Sequence, residues 1–125
     1  MIVGIGIDIV EITRLRDTLE RQKDRFLRRV FTAAEQEYCA AHRDPVPHYA
    51  ARFAAKEALF KAIGTGWAKG VSWLDVEVLR GREGPPSITL SGEAKKLSEA
   101  LAVHSVHVSL SHSVENATAI VILEK

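Results

Sequence analysis

The first ten residues constrain the fold more than any other stretch of the chain. From Ile2 to Val10, β-branched side chains alternate with glycine and aspartate. In an extended strand the isoleucines share one side, and the glycines share the other side with Asp8 and Val10. The isoleucines are Ile5, Ile7 and Ile9, and the glycines are Gly4 and Gly6. Because a side without Cβ atoms lets another backbone approach, we predict an element packed closely against the glycine side.

Helical patterns fill most of the remaining first half of the chain. Apolar residues recur at helical spacing from Ile12 to Val30, and Thr13 is the predicted N-cap of this helix. The segment Thr32–Glu35 has the pattern of a capping box, which opens a second helix. Two prolines then interrupt the helical pattern before an alanine-rich third helix. The predicted helices span 13–30, 33–42 and 48–63, the last ended by Gly64 and followed by a glycine-punctuated loop over 65–70.

The second half of the chain consists mainly of predicted strands. They span 71–79, 87–90, 105–111 and 117–123, and Ser91 opens a helix through about residue 102. Strands that pair mostly with near neighbours, with helices on one side, are typical of the α+β class. We therefore predict a single α+β domain over 1–125, in which an antiparallel-rich sheet packs against helices.

Composition limits the classes of protein to which the chain can belong. The sequence is 46% apolar and 26% charged, which is typical of a globular domain with its own core. A net charge of +1 gives no general affinity for nucleic acid. Cys39 is the single cysteine, which excludes an intrachain disulfide and a cysteine-ligated zinc site. No segment has the pattern of a signal peptide or a membrane span, so we expect a cytoplasmic location.

Two acidic residues stand in apolar surroundings. Asp8 interrupts the first strand, and Glu57 lies among alanines and phenylalanines of the third predicted helix. Burying a carboxylate costs free energy unless a cation or hydrogen-bond donors meet it. Backbone donors would satisfy Asp8, and a surface salt bridge with Lys61, four residues on, would satisfy Glu57. Together, the two carboxylates could instead hold one Mg²⁺, an ion that prefers oxygen ligands and shares them with phosphates.

Two further residues could act on such phosphates. Lys61 would lie beside them as a point charge. His112 follows a strand rich in serine, where it could donate to a phosphate or serve only as a capping or partly buried histidine. A serine hydrolase is a poor interpretation of this stretch, because the G-x-S-x-G elbow is absent.

The first predicted helix is basic. Between Thr13 and Arg29 there are seven Arg or Lys residues against three Asp or Glu residues. If the helix is continuous, one stripe of its surface carries Arg14, Arg21, Arg25 and Arg28. Most basic runs are solvated helix faces. An arginine stripe also suits carboxylates or phosphates, so an acidic protein or a nucleic acid would fit it.

Three stretches together resemble the acyl-carrier-protein synthase group of 4′-phosphopantetheinyl transferases. They are Gly4–Glu11, Arg52–Ala62 and His107–His112, and their order and separation extend the resemblance over nearly the whole chain. The second stretch, RFAAKEALFKA, is the most specific. The resemblance implies the fold of that family and transfer of phosphopantetheine from coenzyme A to a serine of apo acyl carrier protein. Adenosine 3′,5′-bisphosphate would be released, and the reaction would support fatty acid biosynthesis.

The resemblance also implies roles for individual residues. Asp8 and Glu57 would bind Mg²⁺, which would also hold the coenzyme A pyrophosphate, and Lys61 would lie beside the same phosphates. The nucleotide end, with its 3′-phosphate, would be bound by Arg52, His112 and Ser113. The acidic carrier protein would contact Arg14, Leu15, Arg21, Arg25 and Phe26. The small members of the family are homotrimers with active sites between protomers, so a trimer is implied here.

The chemistry of such a transfer agrees with these residue types. A serine hydroxyl attacks a phosphorus, and the protein positions the groups and neutralises phosphate charge. The base that takes the serine proton is Glu57 or a water on the metal, and the sequence does not decide between them.

Two other functions fit parts of the pattern. A magnesium-dependent nuclease would use an early Asp and a later Glu near a Lys. Such enzymes usually place the Glu and Lys two apart on a strand, whereas Glu57 and Lys61 are four apart on a predicted helix. A non-catalytic module could bind an acidic partner or RNA through the basic helix, but it leaves Asp8 and the Glu57–Lys61 pair without a role.

Overall fold

The computed structural model describes residues 1–64, 70–81 and 83–125. In chain order its elements are β1 (Ile2–Glu11), α1 (Ile12–Gln22), α2 (Asp24–Val30), α3 (Ala33–Ala40), α4 (Val46–Ile63), a 3₁₀ helix (Trp73–Asp75), β2 (Val76–Arg80), β3 (Pro86–Leu90), α5 (Gly92–Ala100), β4 (Ser105–His112) and β5 (Asn116–Glu124). One antiparallel sheet has the order β1-β5-β4, and β2 pairs antiparallel with β3. The predicted α+β class is confirmed. None of the described helices has the length and apolar character needed to cross a bilayer.

Helix α4 packs directly on the glycine side of β1. A Cβ atom on Gly4 or Gly6 would overlap the carbonyl oxygen of Ala62 or Ala58, respectively. The two backbones come this close because the strand has no side chain at these positions and the helix has only alanines. The predicted close packing is therefore confirmed. It also places Asp8, two residues beyond Gly6 on the same side of β1, next to α4.

The single helix predicted over 13–30 is two helices. α1 begins directly after Glu11, which is its N-cap, so the prediction of Thr13 as N-cap is wrong. Lys23 separates α1 from α2 with a φ of 49°, which is unusual for a residue that has a side chain. Beyond this break Phe26 is buried in the core, and the predicted stripe is divided between α1, which carries Arg14 and Arg21, and α2, which carries Arg25 and Arg28.

The other helix ends follow the sequence signals closely. The predicted capping box is present, because Thr32 Oγ1 accepts from the Glu35 N–H and the Glu35 carboxylate accepts from the Thr32 N–H. α4 ends before Gly64, which has a left-handed φ of 86° as expected of a glycine C-cap. Ser91 precedes α5 as predicted, although its side chain makes no capping hydrogen bond.

The strand predicted over 71–79 is the other local difference. A 3₁₀ helix occupies Trp73–Asp75, and β2 begins only at Val76. The Ser72 hydroxyl accepts from a backbone N–H inside this turn, and the Asp75 carboxylate accepts from the Ser72 N–H. These side-chain bonds give the backbone an alternative to the strand ladder. Except for its last glycine, the loop predicted over 65–70 lies outside the described residues.

A salt bridge between Lys56 and Glu35 lies entirely inside the protein. Lys56 Nζ is 2.8 Å from Glu35 Oε1, and both side chains are 0% exposed. The ammonium group also donates to the carbonyl oxygens of Trp73 at 3.0 Å and Val76 at 2.6 Å. We call Lys56 and Glu35 the buried pair. It ties α4 to α3, to the 3₁₀ helix and to β2.

On the side of the three-stranded sheet that faces away from α4, β1 and β5 carry exposed or partly exposed isoleucines. Ile5, Ile7 and Ile9 are 60%, 63% and 66% exposed. In the register of β1 and β5, Ile120 lies opposite Ile7, and Ile122 lies opposite Ile5. We call these five residues the isoleucine face.

Candidate active site

Asp8, Glu57 and Lys61 line one cavity of about 630 Å³. Asp8 reaches it from the glycine side of β1, and α4 supplies Glu57 and Lys61 from successive turns of one helix face. The packing of α4 on β1 therefore brings together three residues that are widely separated in the sequence.

Lys61 pairs with Asp8 and not with Glu57. Its Nζ is 2.9 Å from Asp8 Oδ1 and 3.0 Å from the carbonyl oxygen of Ile7. The Lys61 side chain is 54% exposed and the Asp8 side chain is 17% exposed, so both groups remain accessible from the cavity. We call Asp8 and Lys61 the open pair. Among the described ion pairs, Glu57 has none with Lys61, so the simple surface salt bridge considered for it does not form.

Glu57 lies in the electrostatic field of both members of the open pair. Burial raises the pKa of its carboxyl group above the ordinary value, and repulsion from Asp8 raises it further. Lys61 acts in the opposite direction and lowers that pKa. Two carboxylates that destabilise each other's charge in one cavity favour the binding of a cation between them.

The donor set at this site fits Mg²⁺. Asp8 and Glu57 offer hard carboxylate oxygens in a cavity with room for further ligands. Within the described residues, no group of three His, Cys, Asp or Glu side chains could by itself hold a metal ion. Mg²⁺ matches this arrangement, because it commonly takes one or two carboxylates and completes its shell with water and phosphate oxygens.

Six other residues line the same cavity without having been predicted as site residues. They are Ile9, Val10, Glu11, Thr18, Phe53 and Asn116. Asn116 lies opposite Glu11 in the register of β1 and β5. That pairing joins the two ends of the chain, and no local signal in the sequence gives its register. Phe53 lies inside the most specific motif, where its spacing of four from Glu57 could have indicated the same helix face.

The residues predicted to contact a carrier protein differ in their exposure. Arg14 lines the cavity, whereas Arg21 and Arg25 are exposed on opposite sides of the break at Lys23. Leu15 and Phe26 are only 4% and 6% exposed, and they pack in the core beneath the cavity. The apolar contact that they would offer to a partner stays a prediction, and their side chains form part of the cavity wall.

Arg52 and His112 line a second cavity, of about 290 Å³, with Tyr38, His48 and Arg80. It shares no lining residue with the first cavity. Ser113, predicted to act beside His112, lines neither cavity. Its hydroxyl oxygen accepts from the backbone N–H groups of Glu115 and Asn116, and so caps the turn between β4 and β5.

Arg52 is buried and is held by its neighbours on only part of its guanidinium group. It is 3% exposed, and Nη1 donates to the carbonyl oxygen of His48 at 3.3 Å. The guanidinium carbon lies 4.1 Å from the centre of the Tyr38 ring. Nε is buried and, among the described residues, has no hydrogen-bond partner. A buried, fixed cation with a spare donor is well suited to an anion such as a phosphate.

Comparison with known proteins places this arrangement in a family. The profile of the 4′-phosphopantetheinyl transferase superfamily matches residues 4–120. A holo-[acyl-carrier-protein] synthase of Koribacter versatilis is 48% identical over 124 residues, which is 99% of each chain. A holo-[acyl-carrier-protein] synthase of Maridesulfovibrio salexigens is 42% identical over the full length of both chains.

Solved structures agree with the sequence relatives. The crystal structure of holo-[acyl-carrier-protein] synthase from Neisseria meningitidis superposes with a TM-score of 0.89 at 34% identity and covers 100% of both chains. The Helicobacter pylori enzyme, solved in complex with coenzyme A, gives a TM-score of 0.84 at 35% identity, covering 96% of this chain and 99% of that one. The chain therefore belongs to the 4′-phosphopantetheinyl transferase superfamily, within its holo-[acyl-carrier-protein] synthase group.

Proposed function

We propose that this chain transfers 4′-phosphopantetheine from coenzyme A to a serine of apo acyl carrier protein, in the cytoplasm and in support of fatty acid biosynthesis. The serine oxygen forms a bond to the phosphorus next to the pantetheine arm. The bond from that phosphorus to the bridging oxygen breaks, so adenosine 3′,5′-bisphosphate leaves, and the serine proton passes to a base. The convergence of Asp8, Glu57 and Lys61 in one cavity is the observation that carries this proposal.

Asp8 and Glu57 would hold a Mg²⁺ ion. Such an ion supplies Lewis acidity that neutralises charge on the pyrophosphate. Lys61 adds a second positive charge at the same place, and its exposure lets the ammonium group turn from Asp8 toward a phosphate oxygen. Because charge builds up on the leaving phosphate, these groups act mainly by positioning and by electrostatic stabilisation.

The second cavity would bind the nucleotide end of coenzyme A. Arg52 and His112 would contact its 3′-phosphate there, and Arg80 adds a further positive charge. Since the two cavities share no residue within one chain, one coenzyme A molecule could use the first cavity of one protomer and the second cavity of its neighbour. The exposed isoleucine face supports the homotrimer that this needs, because a contiguous apolar surface favours contact with other copies of the chain.

The carrier protein would dock beside the first cavity. Arg14 lies at the cavity, and Arg21 and Arg25 are exposed beyond it, so an acidic surface would meet positive charge on the approach to the cavity. Electrostatic docking of this kind weakens with salt.

Mass spectrometry of an apo acyl carrier protein tests the proposal. After incubation with this protein, coenzyme A and Mg²⁺, we expect the carrier to gain the mass of one phosphopantetheine. Asp8→Ala and Glu57→Ala should abolish the gain while keeping the circular dichroism spectrum of the folded chain. Glu93→Ala, which removes a partly exposed carboxylate on α5, is the matched control and should keep full transfer. A carrier that gains no mass with the unmodified chain would overturn the proposed reaction.

A further inference from the structure

Two histidines stack against each other at the second cavity. The His42 and His48 rings have centroids 3.5 Å apart and planes inclined by 23°. His48 lines the cavity, and its ring centroid lies 5.8 Å from that of His112, which lines the same cavity. His42 Nδ1 lies 3.0 Å from the carbonyl oxygen of Tyr38 and must donate to it, since a carbonyl only accepts.

The charged groups that face His48 come from every element around it. Arg52 lies one turn further along α4, Arg80 ends β2, and His112 ends β4. Asp44, in the segment before α4, is the nearby carboxylate. Arg16 of α1 binds both of its oxygens, at 2.8 Å and 3.2 Å. No carboxylate is among the described residues that line the cavity, so its walls are basic.

This environment keeps His48 uncharged in the ligand-free protein. Burial lowers the pKa of its imidazole to about 4, and His42, Arg52 and His112 act in the same direction. Asp44 opposes them but does not offset them. With His48 uncharged, Arg52 and Arg80 still make the cavity basic.

We infer that His48 takes up a proton when a phosphate monoester dianion enters the second cavity, and that it then contacts the phosphate as a cation. The dianion offsets the charge of Arg52 and Arg80 and attracts a proton to the imidazole, which opposes the burial that is the largest cause of the lowered pKa. The inference rests on the proposed function, in which the 3′-phosphate of coenzyme A occupies this cavity.

The sign of the proton exchange distinguishes His48 from the ligand itself. The second pKa of a phosphate monoester is about 6. Arginine favours the dianion, so a phosphate that bound without His48 would release protons near pH 6.5. Uptake by His48 has the opposite sign. Proton uptake makes the ligand bind more tightly as the pH falls. Where one proton is exchanged, the affinity rises by up to about tenfold per pH unit.

Titration calorimetry at pH 6.5, in two phosphate-free buffers of different ionisation enthalpy, measures this exchange. We expect coenzyme A to bind with net proton uptake, and dephospho-coenzyme A, which lacks the 3′-phosphate, to bind with little or none. In His48→Asn, coenzyme A should bind with net proton release instead of uptake. The variant should also lose the gain in coenzyme A affinity that the unmodified chain shows when the pH falls from 7.5 to 6.5. His104→Asn, which removes an exposed histidine before β4, is the matched control and should leave the proton uptake unchanged.

Three results would overturn the inference: proton release by the unmodified chain, equal uptake by the two ligands, or unchanged uptake in His48→Asn. If that variant does not fold, the ring resonances of His48 in the unmodified chain serve instead. Adenosine 3′,5′-bisphosphate should then raise the pH at which they titrate, and no change would refute the role. Failure of phosphopantetheine transfer by the unmodified chain would count against the proposed function, whereas normal transfer with no proton uptake would count only against His48.

Discussion

Helix α4 carries two lysine–carboxylate pairs that are alike in geometry and opposite in environment. The buried pair joins Lys56 to Glu35 at 2.8 Å, and the open pair joins Lys61 to Asp8 at 2.9 Å. Both side chains of the buried pair are 0% exposed, whereas those of the open pair are 54% and 17% exposed. The lysines are only five residues apart, so surroundings, and not residue type, separate a structural salt bridge from a candidate active site.

The hydrogen-bond partners of each pair explain the difference. Lys56 has three acceptors for its three N–H groups, and Glu35 also accepts from the backbone N–H groups of Thr32 and Val78. This saturation leaves the buried pair nothing to offer a ligand. The open pair faces a cavity, where a phosphate or a cation can replace either partner. The comparison predicts that changes in one pair alter stability and changes in the other alter chemistry.

The largest effect should come from breaking the buried pair. Lys56→Met keeps the length of the side chain but leaves the Glu35 carboxylate buried without its cation. The free energy of unfolding should fall by about 3–5 kcal/mol, the usual cost of an uncompensated buried charge. Urea unfolding followed by circular dichroism measures the change.

Lys61→Met is the matched control for that experiment. It removes the same charge from the open pair, where solvent screens it, and should lower the free energy of unfolding by less than about 1 kcal/mol. Similar losses of stability in the two variants would show that the two pairs do not differ in the way their burial indicates.

Sequence reasoning identified both residues of the open pair as site residues but did not predict their salt bridge, and it gave the buried pair no role. Gly4 and Gly6 required a close neighbour, and the motif around Glu57 resembled a family in which Asp8 and Glu57 meet. The capping box already explained why a glutamate stands at position 35, so no second role for its carboxylate was sought. Nothing local shows that Lys56 points under β2, because that depends on which face of α4 the second sheet covers.

The break between α1 and α2 was unpredictable for a related reason. Lys23 has a positive φ, but neither glycine nor proline marks the position, and the apolar spacing continues across it. The second cavity depends in the same way on contacts distant in sequence, since β4, β2 and the helices supply separate walls. Local propensity gives the elements, whereas cavities between them depend on tertiary packing.

The second-largest effect should come from removing the charge at the open pair. Lys61→Ala should slow phosphopantetheine transfer by at least about 100-fold, or about 2.7 kcal/mol, because the ammonium group stabilises charge that develops on phosphate. Initial rates of carrier modification measure it. Lys96→Ala, a change at an exposed lysine on α5, is the control and should transfer at the normal rate. Loss of thermal stability without loss of rate would reduce Lys61 to a structural partner of Asp8.

A smaller effect should follow the addition of Mg²⁺. An ion held by Asp8 and Glu57 should raise the free energy of unfolding by about 1.4 kcal/mol at ten times its dissociation constant. Glu57 must lose its proton to bind the ion, and its raised pKa places that loss above the ordinary value of 4.5. The stabilisation should therefore be present at neutral pH and disappear as the pH falls toward that value.

Thermal melting with and without Mg²⁺ across this pH range measures the effect. Glu57→Gln should show no stabilisation at any pH, whereas Glu93→Gln should behave like the unmodified chain. Stabilisation that persists in Glu57→Gln would place the ion elsewhere.

The smallest effect should be that of salt concentration on stability. It distinguishes the buried pair from the open pair without a measurement of catalysis. Screening lengths fall from about 8 Å at physiological ionic strength to about 3 Å at 1 M salt, so exposed charges lose most of their interaction. The stability difference between the unmodified chain and Lys61→Met should therefore shrink toward zero in 1 M NaCl. The difference for Lys56→Met should persist, because water and ions do not reach a pair that is 0% exposed. Urea titrations at both salt concentrations test this, and equal salt dependence in the two variants would mean that solvent reaches Lys56.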